Sequence, residues 1–394
     1  MSGTKYIIWH DNDYDFAFWV YENTKLNGKD VKLRPIPKKT TSKSLLKILK
    51  SEEDFMILPV IKYESPDIII QRIDDNGESK ILCVNEVMTH TPQWQHPAQR
   101  FTRIYGASKL KVPAALVVAA DMIKFEKLKG ASTYKQTSYT LSPITAAVYN
   151  KTTIINNTPT LLFFWPTDGF HKIDQKHPTA PKLVDDIKNW IEFMNECIDE
   201  NAPGIKKSIE KHEKKIIKHF NERDGTKCKK IEEINYDIRA HTSLRGPICL
   251  KSHPQYDILS HKKDEGYVFA PNGLAPPSSY FRTDPYAGML ASYDNLVCRD
   301  DTGKRTHNLI FIAEKIDVSK LLTKDTFIKT DGHRYADCPF EDFKIAAKLT
   351  KDEIIKHLEK KNCPFTSSKQ QRIYTEIAEQ IVFDDDPNFP GRQQ

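Results

Sequence analysis

Apolar and polar positions alternate between two periods along the chain. "KYIIWH" (5–10) reads as a short strand. "TTSKSLLKILKSEED" (40–54) carries Leu and Ile at helical spacing after a Ser/Thr start, and "DFMILPVI" (54–61) is an apolar run that predicts a buried strand. "IIIQRI" (68–73) and "KILCVNEV" (80–87) are strand-like, with "DDNGES" between them. In "HPAQRFTRIYGASKLK" (96–111), Phe101, Ile104 and Ala107 recur at three-residue steps behind Pro97, the pattern of a helix. "VPAALVVA" (112–119) has no polar face and predicts a strand covered on both sides. "TPTLLFFWP" (158–166) predicts another strand.

The clearest amphipathic helix lies in 180–198, with Leu183, Val184, Ile187, Trp190, Ile191, Met194 and Ile198 on one face. Residues 205–230 hold ten Lys/Arg against four Asp/Glu, with Ile205, Ile209, Ile216 and Phe220 at helical spacing. That pattern suits a solvated outer face, or alternatively contact with a DNA backbone. Turn formers fill 241–257 and 270–281. A helix (284–298), a strand (307–316) and two helices (350–361 and 368–382) follow. The organisation expected is a core over 1–200, a basic helical connector over 201–240 and a C-terminal part over 241–394. The alternation of strands and helices predicts an α/β protein with a mixed central sheet.

Composition narrows the class. With 39% hydrophobic and 28% charged residues the chain is globular, and Lys+Arg exceed Asp+Glu by 59 to 53. The resulting +6 is compatible with a nucleic-acid partner without requiring one. Seven scattered cysteines without a C-x-x-C pair indicate neither a disulfide framework nor a zinc site. No apolar run reaches membrane-spanning length, and the N-terminus lacks a signal-peptide layout, so a cytoplasmic protein without a membrane partner is expected. P-loop, dinucleotide-binding and nucleophile-elbow signatures are missing.

The chemistry concentrates in "SPDIIIQRIDDNGESKILCVNEVMTHTPQW" (65–94). Asn76-Gly77 between two strand-like runs is a strong hairpin signal, because a type I′ turn needs positive φ at both central residues. A two-residue loop there sets Asp67 opposite Glu86, with Cα atoms about 4.5–5.5 Å apart. Like charges facing each other destabilise a sheet unless a cation lies between them, and Mg²⁺ takes one or two carboxylates plus phosphate and water. In another register, both acids merely end strands in solvent.

Pro66-Asp67, a hairpin and then Glu86-x-Met88 resemble the PD-(D/E)xK, or restriction-endonuclease-like, nuclease superfamily. The stretch that follows looks like that superfamily's strand-loop-helix-strand, and the resemblance covers residues 40 to 120. It implies Mg²⁺ held by Asp67, Glu86 and the Val87 carbonyl, and hydrolysis of double-stranded DNA, as in a type II restriction endonuclease acting as a homodimer. Met88 stands where the motif has Lys and can neither orient water nor stabilise charge. Gln99 and Lys109, then His90, are the candidates for that missing role. Arg100 and Arg103 on the same helix, with Arg282 and Arg299 downstream, are candidate DNA contacts. The alternative is a catalytically silent nucleic-acid-binding protein that keeps the fold. "WHDNDYDF" (9–16) lacks the Gly and final Glu of a calcium loop and reads as a solvated turn.

Overall fold

The computed structural model describes residues 3–37, 56–61, 63–88, 92, 94–127, 134–165, 183–238, 244–252, 263–269, 283–313 and 377–383. The chain divides into two compact units. The first comprises Met1–Ile36, Ser65–Thr153 and Asn157–Tyr236; the second comprises Pro37–Glu64, Ile154–Asn156 and Asp237–Gln394.

A six-stranded mixed sheet forms the first unit's centre. Its strands are β1 (Lys5–His10), β2 (Val31–Pro35), β3 (Ile68–Ile73), β4 (Ser79–Met88), β5 (Ala114–Val118) and β8 (Thr160–Phe164), in the order β2-β1-β3-β4-β5-β8. β3 runs antiparallel to both β1 and β4, while β5 is parallel to β4 and β8 to β5. Ala114 through Val118 are fully buried, as expected for a central parallel strand. A separate hairpin pairs β6 (Asp121–Lys127) with β7 (Tyr134–Thr140).

Helices α1 (Tyr14–Asn23) and α4 (Asp185–Ile198) cover one face. Phe16, Val20, Ile187, Trp190 and Met194 join Ile8, Ile68, Ile70, Ala115, Val117 and Phe163 in one core. Trp190 donates its indole N–H to Asn85 Oδ1 at 2.8 Å, which fixes Asn85 toward that face and turns its neighbour Glu86 toward the other. There lie α2 (Gln95–Lys109) and α3 (Pro143–Asn156), with the rings of Phe101 and Tyr149 packed edge-on at 5.6 Å. The long basic helix α5 (Ala202–Asp224) buries Ser208, His212, Ile216 and Phe220 within the first unit, so this part of the expected connector is integral to that unit.

In the second unit, β9 (Leu244–Cys249), β10 (Glu265–Phe269), β11 (Asn308–Ala313) and β12 (Gln380–Phe383) form a sheet in the order β12-β11-β10-β9. Helix α6 (Thr283–Val297) places Tyr286 and Tyr293 against Phe269.

Several expectations need correction. Residues 57–61 form turns in place of a strand: Val60 and Ile61 both donate N–H to Ile57 O, and Pro59 has no N–H for a ladder. Leu183 and Val184 precede α4 and are exposed. Of the helix expected over 368–382, residues 368–376 lie outside the described residues and Gln380–Val382 belong to β12, whose central Ile381-Val382 is β-branched. The acidic turn at 11–13 starts a helix: Asp13 Oδ1 accepts the Phe16 N–H at 3.0 Å. Helix α3 went unread because its Thr, Val and Ile weaken the helical signal that Ser142-Pro143 opens. The helices expected over 40–54 and 350–361 lie outside the described residues. No described helix is long and apolar enough to cross a membrane.

Candidate functional site

The hairpin reaches the expected pairing by another route. Asp74 O accepts from Gly77 N at 2.8 Å, Asp74 N donates to Glu78 O at 2.8 Å, and Gly77 has φ +82. This is a three-residue loop with a left-handed glycine, in place of the two-residue turn read from Asn-Gly. The loop alone would shift the register by one residue. A bulge cancels the shift: Gln71 pairs with Ile81 but Ile70 with Cys83, leaving Leu82 as the extra residue. From there Ile68 faces Asn85, and the pairing carries Asp67 to Glu86.

The two acids meet. Glu86 Oε2 accepts the Asp67 backbone N–H at 3.1 Å, and Asp67 Oδ2 accepts the Val87 N–H at 2.7 Å. Val87 thus contributes its amide to the pair. Burial differs sharply: the Glu86 side chain has 0% exposure and that of Asp67 24%. Burial pushes the Asp67 carboxyl above the ordinary carboxylate range, opposed by the Arg103 charge, the Val87 N–H and the Arg100 charge, and reinforced by Asp11.

Two arginines of α2 complete the site. Arg100 Nη1 lies 3.0 Å from Glu86 Oε1; Arg103 Nη1 lies 3.0 Å from the same oxygen and 3.6 Å from Asp67 Oδ1. A three-residue spacing puts both on one helix face, while Phe101, Ile104 and Tyr105 are buried. The quartet carries two negative and two positive charges, with one guanidinium nitrogen at the point where both carboxylates converge. Arg100 and Arg103, read from sequence as DNA contacts, are here ion-paired to the acids.

The other candidates are dispersed. Gln99 sits beside Arg100 on α2, its carbonyl accepting the Thr102 hydroxyl. Lys109 ends α2 with its ammonium 4.8 Å from the Tyr105 ring centroid. Met88 is fully buried. Arg299 belongs to the second unit, paired at 2.6 Å with the fully buried Asp294. His90 and Arg282 lie outside the described residues.

Sequence reasoning overlooked two contributors. Asp11 donates its backbone N–H to Asp67 O at 3.1 Å, so the "HDND" turn abuts the acid pair through the β1–β3 ladder. Tyr149 of α3 buries a hydroxyl with no hydrogen-bond partner among the described residues; burial, and then the charge of Glu86, raise its pKa well above the ordinary phenol range. The acid-rich turn was a signal for the first. With α3 unread, nothing pointed to the second.

Hard carboxylate oxygens from the start of β3 and from β4 suit Mg²⁺ in kind, and a pair of them is a common protein share of its ligands. Among the described residues no group of three or more His, Cys, Asp and Glu is gathered as a metal cage. Any ion bridging Asp67 Oδ1 and Glu86 Oε1 competes with Arg103 for one place. No protein-family model, curated protein or solved structure matches the chain.

Proposed function

We propose that this chain is a metal-dependent endonuclease that hydrolyses phosphodiester bonds of double-stranded DNA, with a type II restriction endonuclease as its nearest functional description. One observation carries the reading: Asp67, immediately before β3, and Glu86, on β4, converge with two arginines from the helix that follows. The strand-loop-helix-strand formed by β4, α2 and β5 is the arrangement that the nuclease resemblance implies.

Asp67 and Glu86, with the Val87 carbonyl, would hold Mg²⁺. The ion when bound supplies Lewis acidity toward the scissile phosphate and a water of lowered pKa. The chain's own groups do the rest. Arg100 and Arg103 offer planar guanidinium donors to phosphate oxygens, and so provide the positive charge that Met88 cannot. Glu86, without solvent access, keeps its orientation through Arg100 and the Asp67 N–H.

A second reading has its own support. The acids are neutralised by arginines and Met88 is buried, which also suits a nucleic-acid-binding protein that keeps the fold without the chemistry. Purified protein incubated with plasmid and phage DNA in Mg²⁺, and in EDTA, separates the two. The nuclease yields discrete fragments in Mg²⁺ alone, and Asp67→Ala abolishes them. Retention of DNA on a gel without any cutting contradicts the nuclease.

A further inference from the structure

We propose that Arg103 is an internal counter-cation that holds the Asp67–Glu86 pair closed to metal until a nucleic-acid phosphate draws its guanidinium away. This rests on the metal-dependent reading and adds an order of binding to it.

The oxygens of both acids are already engaged. Arg103 Nη1 bridges Glu86 Oε1 and Asp67 Oδ1, at 3.0 and 3.6 Å. The two remaining oxygens take backbone N–H groups, from Asp67 to Glu86 Oε2 and from Val87 to Asp67 Oδ2. A divalent ion set between the bridged oxygens would need the position that Arg103 Nη1 holds, whereas Arg100 touches Glu86 Oε1 from its own side and does not reach Asp67 Oδ1. Metal binding to the ligand-free protein therefore requires Arg103 to leave.

Leaving is costly without a destination. The ion replaces the counter-charge at the acids, but the mostly buried Arg103 guanidinium gives up both carboxylates and needs another anion to receive it. Arg100 Nη1 stays on Glu86 Oε1 when Arg103 departs. The opening also lies at the right end: Asp67 and Arg103 side chains keep 24% and 15% exposure, while Glu86 has none. A phosphate arriving there meets a guanidinium whose fork suits bidentate pairing, and each Arg–phosphate bond frees the acids for the ion. Phosphate and metal then promote each other's binding by one common factor, as linkage requires.

The test counts bound Mn²⁺ by electron paramagnetic resonance, above the baseline of an Asp67→Asn variant, with and without a short DNA duplex. The wild-type protein is expected to bind Mn²⁺ weakly alone and about tenfold or more tightly with duplex. Arg103→Met is expected to bind Mn²⁺ without duplex about as tightly as wild type does with it. If circular dichroism shows that variant to be unfolded, the two wild-type arms decide. Equal wild-type affinity with and without duplex overturns the counter-cation role and leaves the nuclease reading standing. Absence of Mn²⁺ above baseline in every arm overturns both.

Discussion

At the residue scale, Glu86 is tightly constrained, a carboxylate without solvent access held by two arginines. It sits in a buried run of β4 between Asn85, which faces α4, and Val87, which gives its N–H to Asp67. Its buried charge is offset by Arg100 and Arg103 together, with the Asp67 N–H as a further donor. Removing one partner of a buried pair leaves the other uncompensated, at a cost of about 3–5 kcal/mol for a lone pair. With Arg103 remaining, Arg100→Met is expected to lower unfolding free energy by about 2–3 kcal/mol. Urea denaturation of both proteins measures this, and an unchanged midpoint would show the pairing to be dispensable. The acids were legible because strand pairing is a local rule and Asn76-Gly77 marks the hairpin. The loop type was misread, and Leu82 restored the register by a bulge that no local pattern announces. The arginines were legible as one helix face but were assigned to DNA, because ion pairing depends on how that helix lies on the sheet.

At the element scale, the sheet's β8 edge is closed by side chains. Outward-facing N–H groups recur at every second residue of an edge strand, and each here has an acceptor. Thr160 donates to Thr153 Oγ1 at 2.9 Å, Leu162 to His212 Nε2 at 2.9 Å, and Phe164 to Asp186 Oδ2. Alternate residues point inward, as Trp165 does in donating to Val118 O at 2.8 Å. Covering an edge in this way blocks pairing with another strand. His212 must stay neutral to accept, and burial pushes its pKa down to about 3. Its folded pKa thus lies below its unfolded value, so the unfolded chain binds more protons between them. Stability is lost as pH falls through that window, by up to about 1.4 kcal/mol per unit. His212→Gln retains an acceptor that does not titrate. Between pH 6.5 and 4 it is expected to lose about 3 kcal/mol less stability than wild type, read from urea midpoints at each pH. Parallel pH profiles would contradict the role given to His212. In sequence, 205–230 shows its charge and its Ile/Phe stripe, but nothing local marks His212 as the acceptor of a strand edge.

At the scale of the whole molecule, the chain builds two units, and the first is discontinuous in sequence because Pro37–Glu64 groups with the second. No composition shift marks that excursion, so a reading made along the chain places its boundaries only around 200–240, while the fold has others. The central sheet was legible, since β1, β3, β4, β5 and β8 all follow from apolar runs, and the helix–sheet layering follows from α2 and α4. The central claim concerns that sheet: Asp67 and Glu86 share a metal ion beside bound DNA. Crystals of the wild-type protein grown with duplex DNA and Mn²⁺ test it by anomalous diffraction. The account predicts an anomalous peak within bonding distance of both carboxylates, with the Arg103 guanidinium moved onto a phosphate. DNA in place, no peak between the acids, and Arg103 still bridging them would contradict it.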